Sequence, residues 1–174
     1  MFNKYVLKQI FKQDLTKYFC LIIFKSMNEP WYEIFVYLEG EIVKFFKFLR
    51  KVQDYDKDIY KKIPNVLQEY IISHLFKLGL EKHMIPFPEY RPFLNKGNRI
   101  DLVWFSYEGL IDSAFEVGRP KMRDIKKLLS LGRYCDKYII FVNKDRNEKF
   151  YQLCKYAESN GIKLLDLSWT LGFK

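Results

Sequence analysis

Asn98-Arg-Ile-Asp101-Leu-Val-Trp-Phe105 leads through Glu108-Gly109 into Leu110-Ile-Asp-Ser-Ala-Phe-Glu116-Val-Gly118, and this stretch decides the fold. Two apolar runs of strand length joined by a short glycine turn predict an antiparallel hairpin. Each run carries one carboxylate, Asp101 between Ile100 and Leu102 and Glu116 between Phe115 and Val117. Acids are depleted in strands and costly to bury unpaired, so both need a reason to be there. A divalent cation, which takes hard oxygen ligands, supplies one reason for both.

Downstream, the pattern predicts a helix from Pro120 to about Arg133, a strand Lys137–Val142, a helix Arg146–Ser159 stopped at Asn160-Gly161, and a strand Ile162–Leu167. Strands separated by helices of that length require parallel crossovers, so the sheet is expected to be mixed. Upstream, Pro64 opens a helix Asn65–Leu78, with Gly79 as its stop. The proline-punctuated segment Met84–Leu94 reads as an edge strand.

Further upstream, the polar segment Gln53–Lys62 reads as a linker, preceded by a helix over Trp31–Val52. The apolar stripe of that helix, Ile34, Phe35, Leu38, Ile42, Phe45, Phe46 and Leu49, is a core face or a homodimer seam. Residues 2–25 read as two short helices broken near Asp14, with Phe19–Phe24 a strand as the alternative. The expected division is a helical region over residues 1–58 and an α/β domain over 59–174.

Composition narrows the function classes. The 174 residues are 49% hydrophobic, enough for a real core, and 30 Lys and Arg against 21 Asp and Glu leave a net charge of +9. That balance favours a polyanionic partner, because basic side chains facing phosphates release condensed counterions. Cys20, Cys135 and Cys154 are too scattered for a disulfide framework or zinc motif, which points to a reducing, cytoplasmic setting. No apolar run has the length of a membrane span, so no membrane partner is expected. His74 and His83 lack metal or nucleophile spacing, and the absence of glycine-rich phosphate loops disfavours nucleotide binding.

Taken singly, Asp101 reads equally well as a strand-end acid paired with Arg99 or a neighbouring base, and Glu116 as an exposed edge residue or one bridged to Arg119 or Lys121. Taken together, on adjacent strands ahead of a basic helix, they resemble the PD-(D/E)xK nuclease superfamily, especially its small archaeal and viral members. The resemblance covers roughly Asn65–Leu167. It implies a restriction-endonuclease-like mixed sheet in the order α-β-β-β-α-β-α-β behind an N-terminal helical extension. It also implies Mg²⁺ or Mn²⁺ held by Asp101 and Glu116, with Glu69 of the preceding helix as a third metal ligand.

The departure from that family lies at Gly118, where its motif has a lysine to stabilise developing negative charge. Arg119 and Lys121 are the expected replacements, with Lys126 in the following helix another. Lys121, Arg123, Lys126 and Lys127 are expected to form a phosphate-contacting rim. The expectation is therefore a metal-dependent nuclease that hydrolyses phosphodiester bonds in nucleic acid, DNA ahead of RNA. Its alternative is a catalytically inactive module of the same fold that binds nucleic acid or mediates assembly.

Overall fold

A computed structural model describes residues 30–52, 59–92, 99–142 and 146–168. The chain divides into two compact units, Met1–Ile34 and Phe35–Lys174, and the sheet and cleft belong to the second. The helices and alternative strand read from residues 2–25, the start of the linker at 53–58, and the end of the edge strand at 93–94 lie outside the described residues.

The elements are α1 (Pro30–Val52), α2 (Ile59–Glu81), β1 (Ile85–Tyr90), β2 (Ile100–Phe105), β3 (Ile111–Val117), α3 (Met122–Leu129), β4 (Asp136–Phe141), α4 (Glu148–Ser159) and β5 (Ile162–Asp166). The strands form one five-stranded sheet in the order β1-β2-β3-β4-β5. β1, β2 and β3 pair antiparallel, whereas β4 and β5 join in parallel. The sheet is therefore mixed, as the alternation of strands and helices required.

Register sorts the side chains between two faces. Val103 pairs with Ala114, and Glu116 with Ile139, so these residues share one face. That face packs on Ile125 and Leu128 of α3 and on Phe150 and Ala157 of α4. The other face carries Trp104, Phe115 and Tyr138, whose ring centroids stand 4.6 and 5.0 Å apart in succession. Helix α2 covers this second face, with Leu67, Ile71, Leu75 and Leu78 buried. Helix α1 lies against α2 through Phe45 and Tyr70, whose rings are 4.7 Å apart, and through Tyr37 Oη and His74 Nδ1, 3.1 Å apart.

Three helix boundaries depart from the sequence reading, one of them the end of α3, which stops at Leu129 rather than near Arg133. Pro64 does not open α2, which begins at Ile59, so the segment read as linker is helical from that residue on. Gly79 does not stop it either, because α2 continues to Glu81. The end is made by His83 at φ 58°, with Met84 N–H donating to Gly79 O at 2.9 Å and His83 N–H to Leu80 O at 3.0 Å. Gly79 has a different role. A Cβ there would stand 2.7 Å from Trp104 Nε1, so the glycine lets the buried indole approach the helix backbone.

Candidate active site

The hairpin brings the two strand acids to one cleft. Asp101 Oδ2 accepts the Val117 N–H at 2.8 Å, crossing from β2 to the residue beside Glu116, and accepts Gln68 Nε2 of α2 at 3.3 Å. Arg99, the sequence-level candidate partner of Asp101, instead pairs with Glu89 at 2.6 Å. Glu116 is no edge residue: β3 is the middle strand, and only 5% of Glu116 is exposed.

Its partner is Lys127, neither Arg119 nor Lys121. The Lys127 ammonium lies 2.6 Å from Glu116 Oε1, 3.1 Å from Asp124 Oδ1 and 2.9 Å from the Arg99 carbonyl oxygen, to which it donates. The short contact to Glu116 is an ion pair, but Glu116 Oε1 has no aligned hydrogen-bond donor. Helical spacing explains the cluster: Asp124 and Lys127 stand one turn apart on the face of α3 that turns towards the sheet.

The electrostatics show a shortage of positive charge. Burial, followed by the charge of Asp101, pushes the Glu116 carboxyl up to about 8, against the pull of Lys127. Burial also raises Asp101, opposed by the Val117 N–H and by Lys127. Burial alone would pull the Lys127 ammonium down, but Glu116 and Asp124 outweigh it and hold the group above the usual lysine range. Asp101, Glu116 and Asp124 thus share one buried ammonium, to which only the exposed Arg123 guanidinium, 3.6 Å from Asp124 Oδ1, is added.

The cleft encloses about 420 Å³ and is lined by Asn65, Gln68 and Ile71 of α2, by Asp101, and by Glu116 to Arg119. Lys121, Arg123, Asp124 and Lys127 line it from the α3 side, and Ile140 to Val142 from the end of β4. Arg119, Lys121 and Arg123 are exposed, forming a basic mouth above a buried acidic floor.

Of the sequence candidates, Asp101, Glu116, Arg119, Lys121, Arg123 and Lys127 meet here. Glu69 does not: it is exposed, and Gln68 is the residue that α2 turns to Asp101. Lys126 is exposed and outside the cleft lining. Lys127, expected on a phosphate-contacting rim, is 6% exposed and reaches the acidic floor. Gln68 and Asp124 were missed. Asp124, as the only acid among the bases of its helix, was the available signal, whereas Gln68 carried none.

Gly118 has φ 138°, a backbone conformation that L side chains rarely adopt, although a Cβ there would meet nothing within 4 Å. Backbone geometry rather than space therefore disfavours a lysine at this position. Lys127 brings an ammonium to Glu116 from the neighbouring helix instead.

These residues suit a hard divalent cation. The buried Glu116 carboxylate and the half-buried Asp101 carboxylate converge, the former with an oxygen lacking an aligned donor, and their surroundings are short of positive charge. Among the described residues, no group of three His, Cys, Asp or Glu side chains is arranged to hold a metal. Mg²⁺ is nonetheless commonly held by one or two carboxylates, with water and substrate phosphate completing its shell.

No protein-family model and no curated protein matches the sequence. Among solved structures, the chain is similar to the crystal structure of a repair endonuclease from Pyrococcus abyssi, with 14% identity and a TM-score of 0.36 over 55% of this chain. The match spans 44% of that protein's length, and a likeness of that extent says nothing of this chain's activity. Cys135 and Cys154 are free thiols, both raised by burial, and no helix among the described residues is long and apolar enough to cross a membrane.

Proposed function

We propose that this chain is a divalent-metal-dependent nuclease that hydrolyses phosphodiester bonds in DNA, with a restriction-endonuclease-like domain over residues 59–174. The observation that carries this reading is the convergence of Asp101, Glu116 and Lys127 at the floor of a cleft whose mouth is basic. Asp101 and Glu116 would hold Mg²⁺ or Mn²⁺. Such an ion, when bound, supplies Lewis acidity towards a phosphoryl oxygen and a water of lowered pKa.

The chain's own residues do the rest. The Val117 N–H and Gln68 orient the Asp101 carboxylate, and the floor is buried enough to strengthen every charge interaction made there. Lys127 takes the role of the lysine absent at position 118, placing an ammonium where negative charge would develop. Arg119, Lys121 and Arg123 offer phosphate contacts at the mouth and favour a polyanionic substrate.

One observation favours a second reading, a silent module that binds nucleic acid: the described residues contain no three-ligand metal cluster. Cleavage of linear duplex, single-stranded and branched DNA with Mg²⁺, Mn²⁺ or EDTA separates the two. Metal-dependent cutting by the wild type that is lost in Asp101→Asn and Glu116→Gln supports the nuclease. No cutting alongside salt-sensitive DNA binding supports the module.

A further inference from the structure

We infer that Asp124 is a positioning residue, which holds the Lys127 ammonium in the cleft when Glu116 is given over to a metal ion. The inference rests on the nuclease reading and deepens it. The Lys127 ammonium donates to the Arg99 carbonyl at 2.9 Å and lies in ion-pair range of Glu116 Oε1 and Asp124 Oδ1, at 2.6 and 3.1 Å. Glu116 serves as both a partner of this ammonium and a ligand in the proposed metal site, and the same oxygens do not serve two cations equally well. Glu116, if it held a divalent ion, would be drawn away from the Lys127 ammonium, and the two cations would repel each other.

What keeps the lysine in place is then Asp124 and the Arg99 carbonyl. Asp124 is suited to this task because it is buried, lies one turn before Lys127 on the same helix, and is held by α3 rather than by the strands. A lysine supplied from a strand beside its glutamate would need no such anchor. A lysine supplied from a helix, with a four-carbon stem and high rotamer entropy, does.

Without Asp124, Lys127 would lean wholly on Glu116 and compete with the ion for it. The roles separate in a cycle of Asp124→Asn, Lys127→Met and the double variant, titrated calorimetrically with Mn²⁺ as the full chain. Asp124→Asn is expected to weaken Mn²⁺ binding by about tenfold when Lys127 is present and by less than about threefold in the Lys127→Met background. Single-turnover cleavage by Asp124→Asn should fall with an unchanged half-saturating DNA concentration.

Equal weakening in both backgrounds would overturn the inference and make Asp124 a metal ligand or a bystander charge. Wild type that takes up no Mn²⁺ would instead bring down the nuclease reading and this inference with it. Lys127→Gln, which keeps a donor for the Arg99 carbonyl, repeats the comparison if Lys127→Met folds poorly.

Discussion

Asp101 reaches across the hairpin to take the Val117 N–H at 2.8 Å, so the acid of β2 is tied to the residue next to the acid of β3. The site's two carboxylates are thus set by strand register, and charge and structure can be separated at Asp101. Asp101→Asn keeps an acceptor for that N–H and should abolish metal-dependent cleavage with little loss of stability. Asp101→Ala should abolish cleavage and also cost roughly 1–3 kcal/mol through the unpaired amide. Urea unfolding beside the cleavage assay checks this, and equal stability of the two variants would contradict it.

Metal-free stability should fall as pH rises. Glu116 is raised from 4.5 to about 8 in the folded chain, so between those values the unfolded chain has released a proton that the folded chain retains. The contribution is complete below pH 4.5 and is lost by about pH 8, on the order of a few kcal/mol. Asp101, also raised, adds to the same slope. Saturating Mg²⁺ should flatten the slope by favouring the ionised carboxylates, and Glu116→Gln should flatten it without metal. Unfolding curves from pH 5 to 9 read this directly.

Lys127→Ala leaves Glu116 and Asp124 buried without their shared ammonium. Breaking such a pair costs roughly 3–5 kcal/mol where the carboxylate is ionised, so the metal-free variant should be strongly destabilised above about pH 8. Mg²⁺ should restore part of the loss in a thermal melt, and cleavage should remain at least about 100-fold down. Destabilisation that Mg²⁺ leaves untouched would argue against a cation site at Glu116.

Gly118→Lys places a lysine two positions after Glu116. The φ of 138° makes that residue strained, and a cost of about 1–3 kcal/mol is expected with no gain in cleavage. A more active Gly118→Lys variant would show that Lys127 does not occupy the role assigned to it.

Gly79→Ala tests the approach of α2 to the sheet. Alanine is the better helix former by about 1 kcal/mol, yet its Cβ would press to 2.7 Å from Trp104 Nε1, and the indole is only 2% exposed. Overpacking of roughly 1–3 kcal/mol should win, lowering the melting temperature by a few degrees. A melting temperature that rises would mean that the indole has room to move.

The mixed α/β architecture was legible in the sequence, because strand and helix periods differ and the hairpin's glycine turn is local. Asp101 and Glu116 stood out for the same reason, as acids inside apolar runs. The ends of α2 were misread because proline and glycine carry several meanings. Pro64 lies inside the helix, while Gly79 answers to Trp104, a residue distant in sequence.

The sequence by itself determined the order of elements and the two strand acids, since these follow from backbone periodicity and from the cost of burying charge. Only the tertiary structure decided which cation meets them. Lys121, Lys126 and Lys127 are near neighbours in one basic segment, and which of them reaches Glu116 depends on how α3 rotates when Ile125 and Leu128 enter the core. The same packing carries Asp124 inward, while the docking of α2 turns Gln68 rather than Glu69 towards Asp101. Helix rotation is set by the surface a helix packs against, which a local sequence pattern does not contain.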